Sequence, residues 1–480
     1  MNSLRLRPSK VTAVLTAVVL GSLLFAGSAR AQSVTLPEAS REQLDNGVVL
    51  LVNEKHEVPL VGIELVLRGG GVRDAEGKAG TASLYAGLLE RGAGARDAAA
   101  FAEAIASVGG RLSASAERER IRISAEFLAR DFPLALELLH DMLSAPTLAE
   151  TEFDTLRERQ SNFILAAKDS DPGALMPTYA AGFLFAGHAY GYPLAGSENS
   201  LGSIGHADVL DYHANEVGGD RLIVSVSGNI DTEEVLAQLR QAFGDLAPAG
   251  RELVELPEPA RAVGQRVLLI DKPDATQTYF WIGSLGVAID YPERPALDIA
   301  NTLFGGRFTS MLNTALRVES GLTYGARSVL IRPSKTGSLG ISSYTRTDAS
   351  VEAIDMALGV LRKLRSEGMD EDMLRSAQNY LLGDFPTRFE TARQLARQFA
   401  MLEFYGLDGT TYIDAYADAL RAVTTESVAR VIASVYPAED ELVFVILGDA
   451  AAIREDMSRY GPLQELSITD PVFTTFATVE

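Results

Sequence analysis

Residues 222–229 read LIVSVSGN, and 220 residues later residues 442–449 read LVFVILGD. Both segments have the composition of an apolar strand that ends in a turn starting with glycine. Two further matches lie at an offset of 218, namely Leu50-Leu51-Val52 with Leu268-Leu269-Ile270, and Leu156-Arg157 with Leu374-Arg375. Three matches in the same order and at nearly one offset predict that the chain consists of two homologous halves.

Each half mixes strand-like and helix-like segments. Residues 60–67 and 120–127 show the alternating or continuous apolar pattern of strands. Residues 132–143, 152–167 and 351–366 have apolar positions three and four apart, as amphipathic helices do. Strands and helices do not alternate regularly enough for a doubly wound parallel sheet. The sequence therefore predicts an α+β fold in two homologous halves, each a largely antiparallel sheet with helices packed on one face.

The chain of 480 residues is too long for a single hydrophobic core, which agrees with two domains. Residues 248–265 hold Pro248, Pro257 and Pro259 and are predicted to be a linker, because proline interrupts regular structure. We therefore predict an N-terminal domain over 32–247 and a C-terminal domain over 266–480.

Residues 1–31 have the pattern of a secretory signal peptide. A basic start is followed by an apolar stretch over 11–27 and by Ala29-Arg30-Ala31, which predicts cleavage after Ala31. The apolar stretch is shorter than the ~20 residues that span a bilayer, so a retained anchor is the weaker interpretation. The chain contains no cysteine, which excludes disulfides, thiol catalysis and cysteine-bound zinc. We expect an exported, periplasmic protein.

The charge of the chain restricts its partners. It carries 43 basic and 64 acidic residues, a formal net charge of −21. Binding to nucleic acid or to anionic lipid requires basic surfaces. We therefore expect no nucleic-acid partner, and no membrane partner once the signal peptide has been removed.

Three segments carry a family resemblance in their order and spacing. They are Leu44-Asp45-Asn46-Gly47-Val48 followed by Gly69-Gly70-Gly71 and the glycine-bounded stretch 80–94, then GHAYGYPLAG over 187–196, then Gly305-Gly306-Arg307 through Leu316-Arg317 to Gly321-Leu322-Thr323-Tyr324. Together they make the mature sequence similar to the M16 family of zinc metallopeptidases, which includes pitrilysin, insulysin and the mitochondrial processing peptidase. The resemblance covers nearly all of the mature chain and implies an M16 peptidase-like fold.

The sequence departs from the family at the metal site. Ser83, Ala86 and Gly87 stand where active members have the His, Glu and His of H-x-x-E-H. The further Glu of the family would fall near Ile164, in an apolar run. A catalytic zinc needs about three protein ligands, and these side chains offer none. We expect no metal in this chain and zinc in a partner subunit.

The histidines offer no substitute for the lost ligands. The chain has five, which are His56, His140, His188, His206 and His213. No two of them have the four-residue spacing that places two imidazoles on one face of a helix.

The resemblance implies a role for Arg317 and Tyr324. In the family this pair faces the zinc site and holds the substrate backbone. Arginine offers a rigid fork of donors to carbonyl or carboxylate oxygens, and a tyrosine hydroxyl can donate to a carbonyl on which negative charge develops. The alternative is structural: Arg317 ends a helix favourably, and Tyr324 packs in the strand that follows.

The pattern of loss and retention indicates one function above others. We expect a non-catalytic, substrate-binding subunit of a heteromeric periplasmic M16 zinc peptidase, which is inactive alone and supplies Arg317 and Tyr324 to a homologous partner with H-x-x-E-H. Peptides are the expected substrates. Two alternatives remain open, a structural M16-like scaffold without a proteolytic role and a protein that binds peptides without cutting them.

Overall fold

Two six-stranded sheets organise the chain in a computed structural model that describes residues 34–261 and 264–473. The predicted signal peptide, 1–31, lies outside the described residues. The first sheet is built from β1 (Ser40–Gln43), β2 (Val49–Glu54), β3 (Leu60–Arg68), β6 (Arg111–Ala116), β7 (Arg120–Leu128) and β8 (Leu222–Gly228), and a short hairpin is formed by β4 (Gly92–Ala93) and β5 (Arg96–Asp97). The second sheet is built from β9 (Arg266–Asp271), β10 (Gln277–Leu285), β11 (Ala326–Ile331), β12 (Ser338–Arg346), β13 (Val443–Gly448) and β14 (Leu463–Ser467).

Five of the six strands have the same arrangement in the two sheets, and only the edge strands β1 and β14 differ, since β1 is antiparallel to its neighbour and β14 is parallel to its own. The order is β1-β2-β8-β3-β7-β6 in the first and β14-β9-β13-β10-β12-β11 in the second. Only β2 with β8, and β9 with β13 and β14, pair in parallel; the remaining neighbours are antiparallel. The repeated strand pair noticed in the sequence occupies equivalent positions, since β8 and β13 lie third in their sheets. The predicted fold of two similar, largely antiparallel halves is confirmed.

The helices of the two halves also correspond. The first half has α1 (Thr81–Leu89), α2 (Ala98–Ser107), α3 (Phe132–Ser144), α4 (Glu150–Ser170), α5 (Met176–Leu184), α6 (Glu198–Ser203), α7 (His206–Glu216) and α8 (Thr232–Phe243). The second half has α9 (Arg294–Asn301), α10 (Met311–Asn313), α11 (Ser350–Glu367), α12 (Glu371–Asp384), α13 (Ala392–Tyr405), α14 (Tyr416–Ala422), α15 (Thr425–Val435) and α16 (Ala450–Met457). The strands and helices predicted at 60–67, 120–127, 132–143, 152–167 and 351–366 are β3, β7, α3, α4 and α11. No helix in 34–261 or 264–473 is both long and apolar enough to cross a membrane.

The central strands are apolar on both faces because both faces are covered. In β2, Leu50 and Val52 belong to the core under the helices of the first half, whereas Val49 and Leu51 belong to a separate apolar cluster on the opposite face. That cluster is completed by the buried side chains Leu395, Phe399, Ala400 and Phe404 of α13. A helix of the second half therefore covers the outer face of the first sheet.

The exchange of helices is reciprocal. The α5 helix of the first half packs on β10 and β13 of the second sheet, where Trp281, Val445 and Leu447 join its core. The two exchanged helices begin at Met176 and Ala392, 216 residues apart, so they are equivalent members of the repeat. Each half thus completes its burial with one helix of the other half.

The exchanged helices approach the strands closely. A Cβ on Gly62 of β3 would lie 2.4 Å from Cα of Arg393 in α13. A Cβ on Gly173, just before α5, would lie 2.5 Å from Cε1 of Tyr279 in β10. Contacts under 3.0 Å are essentially never tolerated by a real Cβ, so glycine permits both approaches.

Candidate functional site

The α1 helix carries the positions that would hold zinc. It begins after Gly80, whose backbone N–H donates to Asp74 at 2.7 Å, and Ala82 N–H donates to the same carboxylate at 2.8 Å. Ser83 and Gly87 lie one turn apart on its half-exposed face, whereas Ala86 is buried. The helix therefore has the shape that would present ligands, and its capping does not depend on a metal.

The residues around this face do not fit a zinc ion. The side chain nearest to a Cβ built on Gly87 is Leu156 of α4, 3.4 Å away. Ile164, two turns further along α4, is buried in the core of the first half. Within the described part of the chain, no three His, Asp or Glu side chains come together as a possible metal site. Serine, glycine and isoleucine stand where zinc ligands would be needed, and leucine lies beside them, so this face does not fit a catalytic zinc.

Each of the five histidines forms a polar contact with the protein itself. His56 contacts Asn229 and Glu54, His140 contacts Asp141 and Ser144, His188 accepts from the backbone N–H of Tyr190, His206 contacts the carbonyl of Leu148, and His213 contacts the hydroxyl of Tyr85. Burial lowers the pKa of His213, so its neutral imidazole suits the contact with Tyr85.

A cavity of about 790 Å³ lies between the outer face of the second sheet and the exchanged helix α5. Its walls include Met176 and Leu184 of α5, and Trp281 and Tyr344 of the sheet. Arg317 and Tyr324 both line it. The structure thus brings the two residues singled out in the sequence to one concave site, and places Ser83, Ala86 and Gly87 outside its lining.

Arg317 lies in a wide helical turn, Thr314–Glu319, that continues α10. Its guanidinium lies over the ring of Phe308, 4.8 Å from the ring centre, and it forms no ion pair or hydrogen bond with any described residue. The carbonyl of Leu316 is satisfied instead by the N–H groups of Leu322 and Thr323, at 2.9 and 3.2 Å. Arg317 is therefore not needed to cap this helical end.

Tyr324 precedes β11 and is 79% exposed, so it does not pack in the strand. Its neighbours hold the loop in place: the hydroxyl of Thr323 accepts from Gly325 N–H at 3.1 Å, and Ser343 donates to the carbonyl of Gly325 at 2.9 Å. The phenol is directed away from a fixed backbone. The structural alternative is thus wrong for Tyr324, whereas Arg317 does stand in the last turn of its helical segment, as that alternative expects.

The lining that sequence analysis missed comes from distant segments. Arg118 and Asp171 belong to the first half, and Arg307 and Arg327 to the second. Gly305 lies so close to β11 that a Cβ would be 2.2 Å from the backbone nitrogen of Ser328, which seats the turn before Arg307 against the strand. Only the glycine pair before Arg307 signalled this turn in the sequence.

Comparisons with known proteins agree with this architecture. Residues 48–196 match the family model described as insulinase (peptidase family M16), and residues 203–381 match the model described as peptidase M16 inactive domain. Among curated relatives, an uncharacterized zinc protease of Mycobacterium leprae is 29% identical over 322 residues, 66% of this chain and 71% of the relative. A non-peptidase homolog of Helicobacter pylori is 27% identical over 350 residues, 72% of this chain and 79% of the relative.

Solved structures share the fold. The peptidase M16 inactive domain from Pseudomonas fluorescens superimposes with a TM-score of 0.79 at 21% identity, covering 86% of this chain and 98% of that chain. A protease from Helicobacter pylori superimposes with a TM-score of 0.76 at 19% identity, covering 86% of this chain and 100% of that chain.

Proposed function

Because this chain belongs to the M16 peptidase family and carries its inactive-type domain, we propose that it is the non-catalytic, substrate-binding subunit of a heteromeric zinc peptidase. A homologous partner with H-x-x-E-H would supply the metal and the general base. This chain would supply Arg317 and Tyr324. The predicted signal peptide places the complex in the periplasm within this proposal.

One observation carries the proposal: Arg317 and Tyr324 line a large cavity, where Tyr324 is 79% exposed and Arg317 stacks on the exposed ring of Phe308 without an ion pair to any described residue. An exposed arginine without a carboxylate partner keeps its donors available for a ligand. An exposed tyrosine on a fixed loop can approach a peptide carbonyl without a rearrangement of the backbone. The H-x-x-E-H positions in the same chain hold serine, alanine and glycine.

The roles of the two residues follow from their chemistry. The arginine fork would bind carbonyl or carboxylate oxygens of an extended peptide and hold its register. The tyrosine hydroxyl would donate to the carbonyl that is attacked, where its hydrogen bond strengthens as negative charge develops. Peptide binding by Arg317 predicts an effect of its loss on KM, whereas stabilisation of the developing charge by Tyr324 predicts an effect of its loss on kcat.

Coexpression with an H-x-x-E-H homolog tests the proposal. We expect peptidase activity that is sensitive to chelators in the complex and in neither chain alone. Arg317→Ala should raise KM, and Tyr324→Phe should lower kcat by about 10²-fold, in the range of a lost oxyanion donor. Arg362→Ala is the matched control, since Arg362 is exposed on α11 and pairs with Glu439 outside the cavity. An unchanged kcat and KM in the Arg317→Ala/Tyr324→Phe double variant would refute the assignment.

The same cavity favours a second candidate, a protein that binds peptides without cutting them. The isolated chain would then bind peptides, and no homolog would convert it into an active complex. A stable chain that binds no peptide would instead favour a scaffold.

A further inference from the structure

The charges around the cavity differ from those of the chain as a whole. Four arginines line it, Arg118, Arg307, Arg317 and Arg327, against the single acid Asp171. The lining therefore has a formal charge of +3, four minus one, in a chain whose net charge is −21. A concave basic surface on an acidic protein attracts anionic ligands and repels cationic ones.

None of these four arginines forms an ion pair with a described residue. Arg307 donates to the carbonyl and hydroxyl of Ser376 at 3.1 and 3.0 Å, and its buried Nε has no partner within 34–261 and 264–473. Arg118 donates to the carbonyl of Tyr190, and Arg327 is exposed on β11. Each guanidinium therefore contacts only neutral groups of the described chain, or none, and keeps N–H donors for a ligand.

A second cavity, also lined by several arginines, provides a contrast. It has a volume of about 420 Å³ and lies between the first sheet and α13. Its arginines are mostly neutralised: Arg120 pairs with Glu117 at 2.6 Å, and Arg388 pairs with Asp384 at 2.5 Å. Unpaired arginines are thus a property of the cavity that holds Arg317 and Tyr324, and not of every arginine-lined cavity in the fold.

The floor of the basic cavity is apolar. Met176, Ala180 and Leu184 line it from α5, and Trp281, Val329 and Tyr344 line it from the second sheet. A volume of about 790 Å³ lies within the range of sites that bury a ligand with large side chains. Aromatic and aliphatic walls favour a large apolar side chain, since its burial releases water from both surfaces.

We propose that this cavity selects peptides in which a carboxylate lies next to a large apolar residue. The carboxylate would engage the unpaired arginines, and the apolar side chain would lie on the floor beside Trp281. The inference rests on the proposed function in assigning peptides to the cavity, and it adds their chemical class. The carboxylate can be an acidic side chain or the C-terminus of the peptide, and these two sources are separated by amidating the terminus.

Trp281 is the only tryptophan of the chain and lines the cavity, so its fluorescence reports binding directly. The experiment titrates the mature full chain with peptides that lack tryptophan. The parent peptide has a Glu-Phe pair and an amidated C-terminus. Matched peptides carry Gln-Phe, Lys-Phe or Glu-Ala, and a further Gln-Phe peptide has a free C-terminal carboxylate.

We expect the Glu-Phe peptide to bind at least about 5-fold more tightly than the Gln-Phe and Glu-Ala peptides, which corresponds to a difference of about 1 kcal/mol in binding free energy. The Lys-Phe peptide should bind most weakly. The preference for Glu should shrink as salt is raised from about 0.05 to about 0.5 M, because screening weakens exposed charge pairs. Tighter binding by the Gln-Phe peptide with a free terminus would identify the C-terminus as the bound carboxylate.

Arg327→Gln should weaken binding of Glu-Phe about 3-fold or more and leave Gln-Phe within 2-fold, as expected for loss of one exposed charge pair. Arg362→Gln, on the other side of the second sheet, should change neither. Equal affinity for Glu-Phe, Gln-Phe and Lys-Phe, no binding of any peptide, or equal losses in the two arginine variants would overturn the inference.

Failure of the inferred selectivity can be distinguished from failure of the proposed function. Selective binding of acidic peptides together with an unchanged Arg317→Ala/Tyr324→Phe complex would refute the proposed function and leave the selectivity standing. Loss of activity in that complex without any preference for acidic peptides would refute the selectivity alone.

Discussion

The close approach of α13 to the first sheet makes a quantitative prediction about Gly62. Alanine at this position would place a Cβ 2.4 Å from Cα of Arg393, and ordinary contact begins near 3.4 Å. The helix and the strand must therefore separate by about 1 Å. The atom in the way is backbone, so no side chain can rotate aside. We expect Gly62→Ala to destabilise the chain by about 1–3 kcal/mol, the usual cost of overpacking.

Two other glycines serve as controls for this prediction. Gly383 in α12 has no heavy atom within 4 Å of an added Cβ, so Gly383→Ala should stabilise the chain by about 0.5–1 kcal/mol through helix propensity. Gly173 meets the ring of Tyr279 at 2.5 Å, and a half-buried ring can shift. Gly173→Ala should thus cost less than Gly62→Ala.

The measurement is urea unfolding of the three variants, followed by circular dichroism at fixed pH and temperature. The free energy of unfolding should rank Gly383→Ala above wild type, then Gly173→Ala, then Gly62→Ala. A Gly62→Ala protein as stable as wild type would show that α13 does not lie against β3 as described. It would also remove the physical basis for a helix exchange between the halves.

Two further predictions concern buried charge. Glu216 and Arg221 form an ion pair whose side chains are 1% and 0% exposed, so Glu216→Ala should lower the free energy of unfolding by about 3–5 kcal/mol, because it leaves a buried guanidinium unpaired. Asp211→Ala breaks the exposed pair with Arg251 and should cost about 1 kcal/mol or less. Similar losses in urea unfolding of the two variants would contradict this prediction. Burial raises the pKa of Asp74 to about 7, against about 4 in an unfolded chain. Between pH ~4 and pH ~7 the folded chain therefore keeps a proton on Asp74 that the unfolded chain has released. The difference in the free energy of unfolding between wild type and Asp74→Asn should therefore favour wild type most below pH ~4, and this advantage should be lost as the pH rises to about 7. A difference that grows with pH would refute the prediction.

Sequence patterns were sufficient to predict the repeat, the class of fold and several individual elements. The apolar strands at 222–229 and 442–449 are buried on both faces, and such strands keep a strong and recognisable composition. The amphipathic helices at 132–143 and 351–366 could be recognised because their apolar faces cover one sheet each. These signals are local, and they need no knowledge of which segments meet in space.

The helix exchange and the cavity could not be predicted in this way. An amphipathic helix such as α13 has the same periodicity whether it covers its own sheet or that of the other half. The contacts of Arg68 with the carbonyls of Glu403 and Phe404 join residues more than 330 positions apart. Arg317 and Tyr324 were noticed through a family resemblance, whereas Arg118 and Arg327 have no motif, and only the folded chain brings them to the same cavity.

The reciprocal placement of α5 and α13 makes the two halves of the chain resemble the subunits of a two-fold dimer. Two separate copies of a single half, each inserting its helix over the sheet of the other, would form a closed two-fold dimer with no unfilled face. Joining the end of one copy to the start of the next changes none of those contacts. Within one chain the two halves are free to differ, so the first carries Ser83, Ala86 and Gly87 on α1 while the second presents Arg317 and Tyr324 to the cavity.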